Sequence, residues 1–275
     1  MKVSYFITPY NRGAQAKRTL DRLMKLTLPD EVIVLNDDST DQTDLLLKDH
    51  PIGKLTEYHY LFRKKPAGVT YDACSIPRNI CLKQSKSDYV LFADPEVLFV
   101  TDVVSQLKQI AERDSQYMVC AGTVYLMNDA APIDDRVSDD PYLFINQIWD
   151  VRPVPKTAAD GNPPSSVTKT ENWAATFACL CKREWLMDIG GWDEDMSLLN
   201  GGGGYAWDDT DMATRLRLTG HNQNTYPEVV AIHQWHERPP GQIGQIKNSE
   251  IFFAKNLQED QSQLVANKGR EWGIL

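Results

Sequence analysis

Residues 88 to 96 read Asp88-Tyr-Val-Leu-Phe-Ala-Asp-Pro-Glu96, an apolar run that ends in an acid, a proline and a second acid. A continuous apolar run of this length is typical of a strand buried on both faces of a parallel sheet. Pro95 cannot donate to a central ladder, so it predicts the strand end and leaves Asp94 and Glu96 there. Ligands bind at that edge of open α/β sheets, and two carboxylates can share a cation that holds a pyrophosphate. The alternative is an acidic loop without a ligand.

The segments before this run alternate between strand and helix patterns. Val3–Ile7 and Glu31–Leu35 are apolar strand-like runs, and Ala14–Leu28 between them has apolar residues at helical spacing. This order predicts βαβ units with right-handed crossovers and a parallel sheet. Further along, Pro77 favours a helix that begins near Ile76, with the proline in its first turn.

The composition limits the classes of protein that the chain can belong to. The 275 residues are 42% hydrophobic with a net charge of −9, which supports a full core and argues against nucleic acid as the main partner. Five cysteines without paired Cys-x-x-Cys motifs indicate a reduced compartment rather than a zinc site. No signal-type or transmembrane run is present, so we expect a cytoplasmic protein, with peripheral membrane contact left open.

An acidic helix start follows four consecutive glycines at positions 201 to 204. We interpret Asp208 as the N-cap, with Asp211 completing a capping box, so that Asp209 takes the first helical position and points outward. A carboxylate there can serve as general base towards an acceptor hydroxyl. The alternative is ordinary capping after a flexible glycine loop.

His233 and His236 follow a short predicted strand, Val229–Ile232. Neutral imidazole is a good ligand for manganese-like ions and a poorer one for magnesium. A structural role for either histidine is the alternative.

Three aromatic residues and one long segment complete the candidate regions. Trp173, Trp192 and Trp207 are candidate stacking surfaces for a ligand, although core packing explains each of them as well. Residues 128 to 172 are rich in Asp, Pro, Gly, Ser and Thr and form either a lid or binding loop or a disordered insertion. Other chemistries are disfavoured, because the dinucleotide-binding glycine motif, the P-loop and the Gly-x-Ser-x-Gly elbow are all missing.

In this order, the motifs resemble those of the GT-A fold glycosyltransferases, especially the inverting family 2. Thr8-Pro-Tyr-Asn-Arg12 is similar to the family's first loop, which lies along the nucleotide. Asp37 matches the acid with which members of the family recognise the base. Gly68 to Asn79 is similar to the Gly…Ala-Arg-Asn segment, and Asp94-Pro-Glu96 stands at the Asp-x-Asp motif. The resemblance therefore implies the following nucleotide-binding residues: Thr8, Pro9, Tyr10, Arg12, Asp37, Arg78 and Asp94.

The second half of the chain carries the rest of the resemblance. Gly190-Gly-Trp-Asp-Glu194 and Trp207-Asp-Asp-Thr-Asp211 are similar to segments that contact sugar and acceptor, which adds Gly191 to the three tryptophans. Asp209 falls on the catalytic base, with Asp208 beside it. His233 falls near a histidine metal ligand of related galactosyl- and chondroitin-type transferases, and His236 is a second candidate. The implied metal ligands are Asp94, Glu96, His233 and His236.

The resemblance implies an α/β GT-A fold with a mostly parallel central sheet flanked by helices. One catalytic domain would span residues 1–245, with a nucleotide-binding half (1–127), an insertion or lid (128–172) and an acceptor half (173–245), before a helical tail (246–275). The expected activity is inverting glycosyl transfer in polysaccharide biosynthesis, from a UDP-linked donor to a glycan or glycolipid-type acceptor, with Mn²⁺ or Mg²⁺. Glu96 in place of the usual second Asp is the main departure.

Two other classes remain open on the sequence. A sugar nucleotidyltransferase also uses a parallel sheet and a metal, although its glycine-rich first loop is missing from Thr8–Arg12. A catalytically silent glycan-binding protein of the same fold is the non-enzymatic alternative.

Overall fold

The computed structural model describes residues 1–69, 72–127, 133–145, 148–153, 177–204, 206–237 and 242–275. The described residues form one mixed sheet of nine strands: β1 Val3–Ile7, β2 Glu31–Asn36, β3 Glu57–Phe62, β4 Tyr89–Phe92, β5 Val97–Phe99, β6 Tyr117–Met127, β7 Ile148–Pro153, β8 Cys179–Lys182 and β9 Asn222–His233. They also form eight helices: α1 Gly13–Leu23, α2 Thr43–Leu47, α3 Ser75–Gln84, α4 Val103–Arg113, α5 Tyr142–Ile145, α6 Arg183–Asp188, α7 Asp208–Leu218 and α8 Gln242–Ala254.

The first half of the sheet is parallel, as the apolar runs predict. The strand order is β3-β2-β1-β4-β8-β6-β9-β5, with β7 paired to β6. Strands β3, β2, β1 and β4 run parallel to one another, and every residue of β1 and β2 is buried. Their carboxyl ends therefore share one edge, which is where Asp37 and Asp94 stand.

The second half of the sheet corrects the expectation of a mostly parallel arrangement. Strand β8 pairs antiparallel with both β4 and β6, and β5 pairs antiparallel with β9. In this half only β6 and β9 run parallel among the described strands. The α/β class is confirmed, but single-strand periodicity does not encode strand direction, which depends on partners distant in sequence.

Helices cover both faces of the sheet because successive residues of a strand point to opposite faces. On one face, Leu20 of α1 and Leu107 of α4 pack into a core that includes Tyr5. On the other face, Ile80 of α3 and Met212 of α7 pack against Phe6. Helices α3 and α7 therefore lie on the same side of the sheet.

Several element boundaries differ from those predicted. Helix α1 ends at Leu23 rather than Leu28, and β9 begins at Asn222 rather than Val229, because tertiary pairing with β6 extends it through polar residues. Strand β5 was not predicted. Helix α3 begins at Ser75 with Pro77 in its first turn, as expected.

The ends of the predicted domain layout are described only in part. Most of the 128–172 insertion lies outside the described residues, so its role as a lid stays a prediction. In the C-terminal segment, α8 ends at Ala254, and the remaining residues pack back on the second half of the chain, where Asn267 donates to the Gly190 and Trp192 carbonyls at 2.8 Å. No helix in the described part of the chain is long and apolar enough to span a membrane.

Candidate active site

Two polar clusters meet at the edge where β4 ends. The first is centred on Glu96, which lies in the short loop after β4, directly before β5 begins at Val97. The antiparallel register of β5 and β9 pairs Val97 with His233, so the strand end places this histidine beside Glu96. The main chain closes the corner, since Gln234 donates its N–H to the Glu96 carbonyl at 3.1 Å.

Glu96, His233 and His236 form the first cluster. The His236 Nε2 lies 2.8 Å and the His233 Nε2 3.5 Å from Glu96 Oε1, and one potential ligand atom from each residue lies within 4.8 Å of the others. Burial acts to raise the pKa of Glu96, but the His236 hydrogen bond and the nearby histidine and arginine charges outweigh it and hold the pKa at about 2. Glu96 is therefore an anion aimed at two imidazoles.

Arg12 orients His236 from the loop after β1. Its Nη2 lies 2.7 Å from His236 Nδ1 and donates to the Glu237 carbonyl at 2.9 Å. His236 Nδ1 is also 2.8 Å from the Glu237 carbonyl. Because a guanidinium can only donate, the Arg12 contact requires that Nδ1 accept and that Nε2 carry the ring proton towards Glu96. Binding of an ion at Nε2 would require the other tautomer, in which Nδ1–H donates to the Glu237 carbonyl. The sequence predicted Arg12 as a nucleotide contact, and its contact with His236 was not foreseen.

Arg78 is the centre of the second cluster. Its guanidinium contacts Asp94 Oδ1 at 2.8 Å and Asp208 Oδ2 at 3.4 Å, and it donates a short hydrogen bond to Asp209. Arg78 leaves the first turn of α3, and both aspartates 208 and 209 leave the first turn of α7. The packing of these two helices on the same sheet face thus brings the predicted nucleotide and catalytic residues together.

Asp94 and Glu96 take different partners although only Pro95 separates them. Asp94 faces Arg78, whereas Glu96 faces the histidines. Burial raises the pKa of Asp94 to about 7; Arg78 opposes this shift, and the charges of Glu96, Asp209 and Asp208 reinforce it. The three-residue ligand cluster therefore consists of Glu96, His233 and His236, with Asp94 next to it rather than within it.

The start of α7 corrects the predicted capping box. The N-cap residue is Trp207, in the left-handed conformation with φ of 71° and no side-chain cap, and Asp208 is the first helical residue. Asp211 does not cap the helix but accepts hydrogen bonds from Arg215 at 2.6 and 2.9 Å. Asp209 still projects outward, with its side chain 26% exposed against 11% for Asp208.

The raised pKa of Asp208 predicts a pH-dependent loss of stability. Burial, with the charge of Asp209, raises this pKa from 3.8 to about 7. A carboxyl with a raised folded-state pKa contributes stability that is complete below the unfolded value and is lost as pH rises through the folded value. As the pH rises from about 4 to about 7, the free energy of unfolding of the wild type should therefore fall. In Asp208→Asn this fall should be smaller, because asparagine does not titrate.

Urea unfolding at a series of pH values measures this difference. Asp49→Asn, on an exposed carboxylate, is the matched control and should follow the wild type. Equal pH slopes for Asp208→Asn and the wild type would contradict the prediction.

The predicted nucleotide loops lie side by side at the carboxyl ends of β1 and β2. Asp37 donates its main-chain N–H to the Pro9 carbonyl at 3.0 Å, which links the Thr8–Arg12 loop to the end of β2. The Asp37 carboxylate, almost fully buried, contacts Arg63 at 2.7 Å and Lys65 at 3.1 Å. Lys65 Nζ also lies 3.5 Å from the centroid of the Tyr10 ring. Thr8 and Pro9 are buried and shape the loop.

Arg63 and Lys65 were missed at the sequence level. The signal was the basic run Arg63-Lys-Lys65 directly after β3, at the same sheet edge as Asp37. The acid and the two cations form a buried ionic cluster at this sheet edge.

The predicted sugar-stacking tryptophans separate into different environments. Trp192 is fully buried and packs edge-on against Phe92 with ring centroids 5.0 Å apart, so it offers no ring face to a sugar. Trp207 is half-buried and contacts Phe252 and Phe253 of α8. Trp173 lies outside the described residues.

Gly191 has a packing role in the same turn. Its φ is +71°, and an added Cβ would lie 2.2 Å from the Asn79 side-chain oxygen, which accepts the Trp192 main-chain N–H at 2.8 Å. We expect Gly191→Ala to lower the free energy of unfolding by about 1–3 kcal/mol from backbone strain, with a further loss from this clash. Gly220→Ala isolates the strain, because Gly220 also has a positive φ but has open space around it. Thermal or urea unfolding that ranks the two variants equally would contradict the clash.

Comparisons with known proteins concern the family and the fold of the chain. The family model described as "Glycosyl transferase family 2" matches residues 4–143. The curated protein poly(ribitol-phosphate) beta-N-acetylglucosaminyltransferase TarP from Staphylococcus aureus (strain N315) is 26% identical over 121 residues. That match covers 43% of this chain and 35% of TarP, so the chain spans about a third of its relative.

Solved structures share the fold at low sequence identity. GalNAc-T7 with UDP, GalNAc and Mn²⁺ matches with a TM-score of 0.65 and 13% identity, over 96% of this chain and 49% of that one. The mannosyltransferase PcManGT from Pyrobaculum calidifontis, with GDP-Man and Mn²⁺, matches with a TM-score of 0.56 and 16% identity, over 96% of this chain and 68% of that one. TarS residues 1-349 from S. aureus, with UDP, match with a TM-score of 0.56 and 16% identity, over 86% of this chain and 61% of that one.

These likenesses confirm the predicted GT-A fold, and the family match covers half of the chain, including β1, β4 and the Asp94-Pro-Glu96 corner. The chain belongs to glycosyl transferase family 2.

Proposed function

We propose that this protein is a metal-dependent inverting glycosyltransferase that uses a UDP-linked sugar. One observation carries the proposal: an anionic ligand cluster and an outward-facing carboxylate stand at the same sheet edge. Glu96, His233 and His236 form the cluster, and Asp209 is the carboxylate, connected to Asp94 through Arg78.

The donor set of the first cluster fits a divalent ion of the manganese type. Two imidazoles and one carboxylate suit Mn²⁺ better than Mg²⁺, which prefers an all-oxygen environment. Glu96, His233 and His236 would hold the ion, with Asp94 as a further ligand beside them. When bound, the ion would act as a Lewis acid that offsets the negative charge of the leaving diphosphate.

The residues of the chain supply the remaining functions. Asp209 accepts the proton of the acceptor hydroxyl, whose oxygen attacks the anomeric carbon while the bond from that carbon to the diphosphate breaks. Attack from the face opposite the leaving group inverts the anomeric configuration. Asp208, more buried than Asp209, contacts the same Arg78 nitrogen, Nη1, whereas Asp94 contacts Nη2. Arg78 contacts all three carboxylates and so holds Asp94 close to the two aspartates of α7.

Asp37 and Tyr10 are proposed to recognise the base of the donor. Both stand at the carboxyl ends of the first two strands, next to Arg63 and Lys65. Likeness to structures with UDP, UDP-GlcNAc and GDP-Man supports a nucleotide-sugar donor. A uracil base remains part of the proposal.

The acceptor is proposed to be a glycan or glycolipid-type molecule, consistent with polysaccharide biosynthesis. TarP is named for transfer to poly(ribitol-phosphate), a polymeric acceptor. The half-buried Trp207, one residue before Asp208, lies where an acceptor sugar can reach Asp209. A cytoplasmic site of action, with peripheral membrane contact, belongs to the same proposal.

Removal of the metal tests the proposal directly. We expect a chelator to abolish release of UDP from a UDP-sugar and Mn²⁺ to restore it, because charge on the leaving diphosphate is then offset again. In Glu96→Gln, the Mn²⁺ concentration needed for half-maximal rate should rise at least about tenfold, because even supporting residues around metal sites contribute 10–100-fold to affinity. His221→Gln is the matched control, since this histidine stacks on Trp185 away from the cluster.

Two results would redirect the assignment. Full activity of chelator-treated protein would contradict the metal site. Formation of pyrophosphate from UTP would indicate the nucleotidyltransferase, and UDP-sugar or glycan binding without turnover across a donor panel would indicate the silent glycan-binding protein.

A further inference from the structure

A second group of potential metal ligands lies at the opposite end of the sheet. Glu31 begins β2, Glu57 begins β3, and the parallel register pairs these two residues. His59 follows two positions after Glu57 and so points to the same face of β3. The distance from Glu31 to the carboxyl end of β2 at Asn36 is five residues, or about 17 Å, which separates this group from the site of glycosyl transfer.

The three side chains converge with spacing that suits a tetrahedral ion. Nε2 of His59 lies 2.9 Å from Glu57 Oε1 and 3.2 Å from Glu31 Oε1, and one ligand atom from each residue lies within 4.8 Å of the others. Ligands at the usual zinc distances of 2.0–2.2 Å in a tetrahedron are about 3.3 Å apart. The two distances from His59 are therefore close to those of a tetrahedral zinc site.

Glu31 supplies the independent sign of a ligand. It is only 2% exposed, and its Oε2 accepts hydrogen bonds from Ser4 and from the Lys86 main-chain N–H, yet its Oε1 has no hydrogen-bond donor among the described residues. The His59 ring offers one N–H on the side facing the acids, and it is directed at Glu57. A buried carboxylate oxygen without a donor destabilises the folded chain, and a bound cation would remove this penalty.

The surroundings leave room for an ion to enter. The side chains of Glu57 and His59 are 49% and 35% exposed. Lys86 Nζ contacts Glu57 at 2.7 Å from a side chain that is 67% exposed, so it can swing into solvent when a cation arrives. Two carboxylates and one imidazole leave the fourth tetrahedral position, on the exposed side, for water.

We propose that Glu31, Glu57 and His59 bind a divalent transition-metal ion of the zinc class, which fastens the edge strand β3 to β2. Strand β3 terminates the sheet, and edge strands are the positions where pairing is most easily lost. The role of this ion is structural, and the site stands apart from the chemistry of glycosyl transfer.

Two measurements on the whole chain test the proposal. Equilibrium dialysis gives the zinc stoichiometry, and anomalous scattering at the zinc edge locates the ion in crystals. The wild type is expected to show an anomalous-scattering peak between Glu31, Glu57 and His59. His59→Gln is expected to bind one zinc equivalent per chain fewer than the wild type. Glu57→Gln, on the exposed ligand, should lose the same equivalent and remains informative if His59→Gln folds poorly. His221→Gln should retain the wild-type stoichiometry.

The same measurements also report zinc binding at the proposed catalytic cluster of Glu96, His233 and His236. His233→Gln should lose the zinc bound near Glu96 and keep the peak near His59, so failure of one site is distinguishable from failure of the other. His59→Gln should also keep its rate of glycosyl transfer, while zinc raises its melting temperature less than that of the wild type. An empty map at His59 in zinc-soaked crystals, or an unchanged stoichiometry in both His59→Gln and Glu57→Gln, would overturn the proposal.

Discussion

Asparagine at position 209 should reduce the rate of glycosyl transfer by about 10²–10⁴-fold, the usual contribution of a positioned general base. Asp209→Asn keeps the size of the side chain and one oxygen for Arg78, but the amide cannot accept the acceptor proton. The loss should fall on kcat, because the substituted group acts on the reacting hydroxyl. Steady-state release of UDP with a fixed donor and acceptor measures it.

The same variant should retain its fold and its affinity for the nucleotide. Donor binding in the proposal depends on Asp37, Tyr10 and the ligand cluster rather than on Asp209, so calorimetric titration with UDP and Mn²⁺ should be almost unchanged. Asp49→Asn, on the exposed surface, controls for loss of a carboxylate as such. Turnover within about twofold of the wild type would refute the base assignment, since it is far less than a general base contributes.

Loss of Arg215 should produce the largest effect on stability. Its side chain is completely buried, pairs with both oxygens of Asp211 and lies 3.5 Å from Asp193. It also donates a short hydrogen bond to the Gln263 carbonyl in the C-terminal segment. Arg215→Met would leave two buried carboxylates without this partner, and removal of one member of a buried pair costs about 3–5 kcal/mol.

Urea unfolding of Arg215→Met against the wild type measures this loss at neutral pH. Arg113→Met is the matched control, because Arg113 is 64% exposed and pairs with Asp114 at the surface. Surface pairs contribute about 0–1 kcal/mol, so the control should remain close to the wild type. A difference below about 1 kcal/mol between the two variants would show that the buried network does not stabilise the chain.

The Arg215 network also connects stability to the site. Helix α7 carries Asp208 and Asp209 in its first turn and Arg215 two turns further on. Lys255 and Arg270 extend the network from the C-terminal segment to Asp195, in the turn after Trp192. The C-terminal segment therefore contacts the network that supports α7, although it holds none of the proposed catalytic residues itself.

The local sequence determined the elements that depend on a single segment. The apolar run before Asp94, the position of Pro77 and the polar ends of β1 and β2 each predicted an element or strand end that is present. Strand burial and proline geometry are properties of neighbouring residues, so one sequence reveals them. The order of these segments was enough to predict the GT-A fold and the family.

The contacts between distant segments were decided only by the tertiary structure. Asp94 and Glu96 are separated only by Pro95, but Arg78 contacts the first and His236 the second. The antiparallel pairing of β5 with β9 and the shared sheet face of α3 and α7 create those partners. Neither depends on local periodicity, because strand direction and helix placement are set by which surfaces the whole chain can bury together.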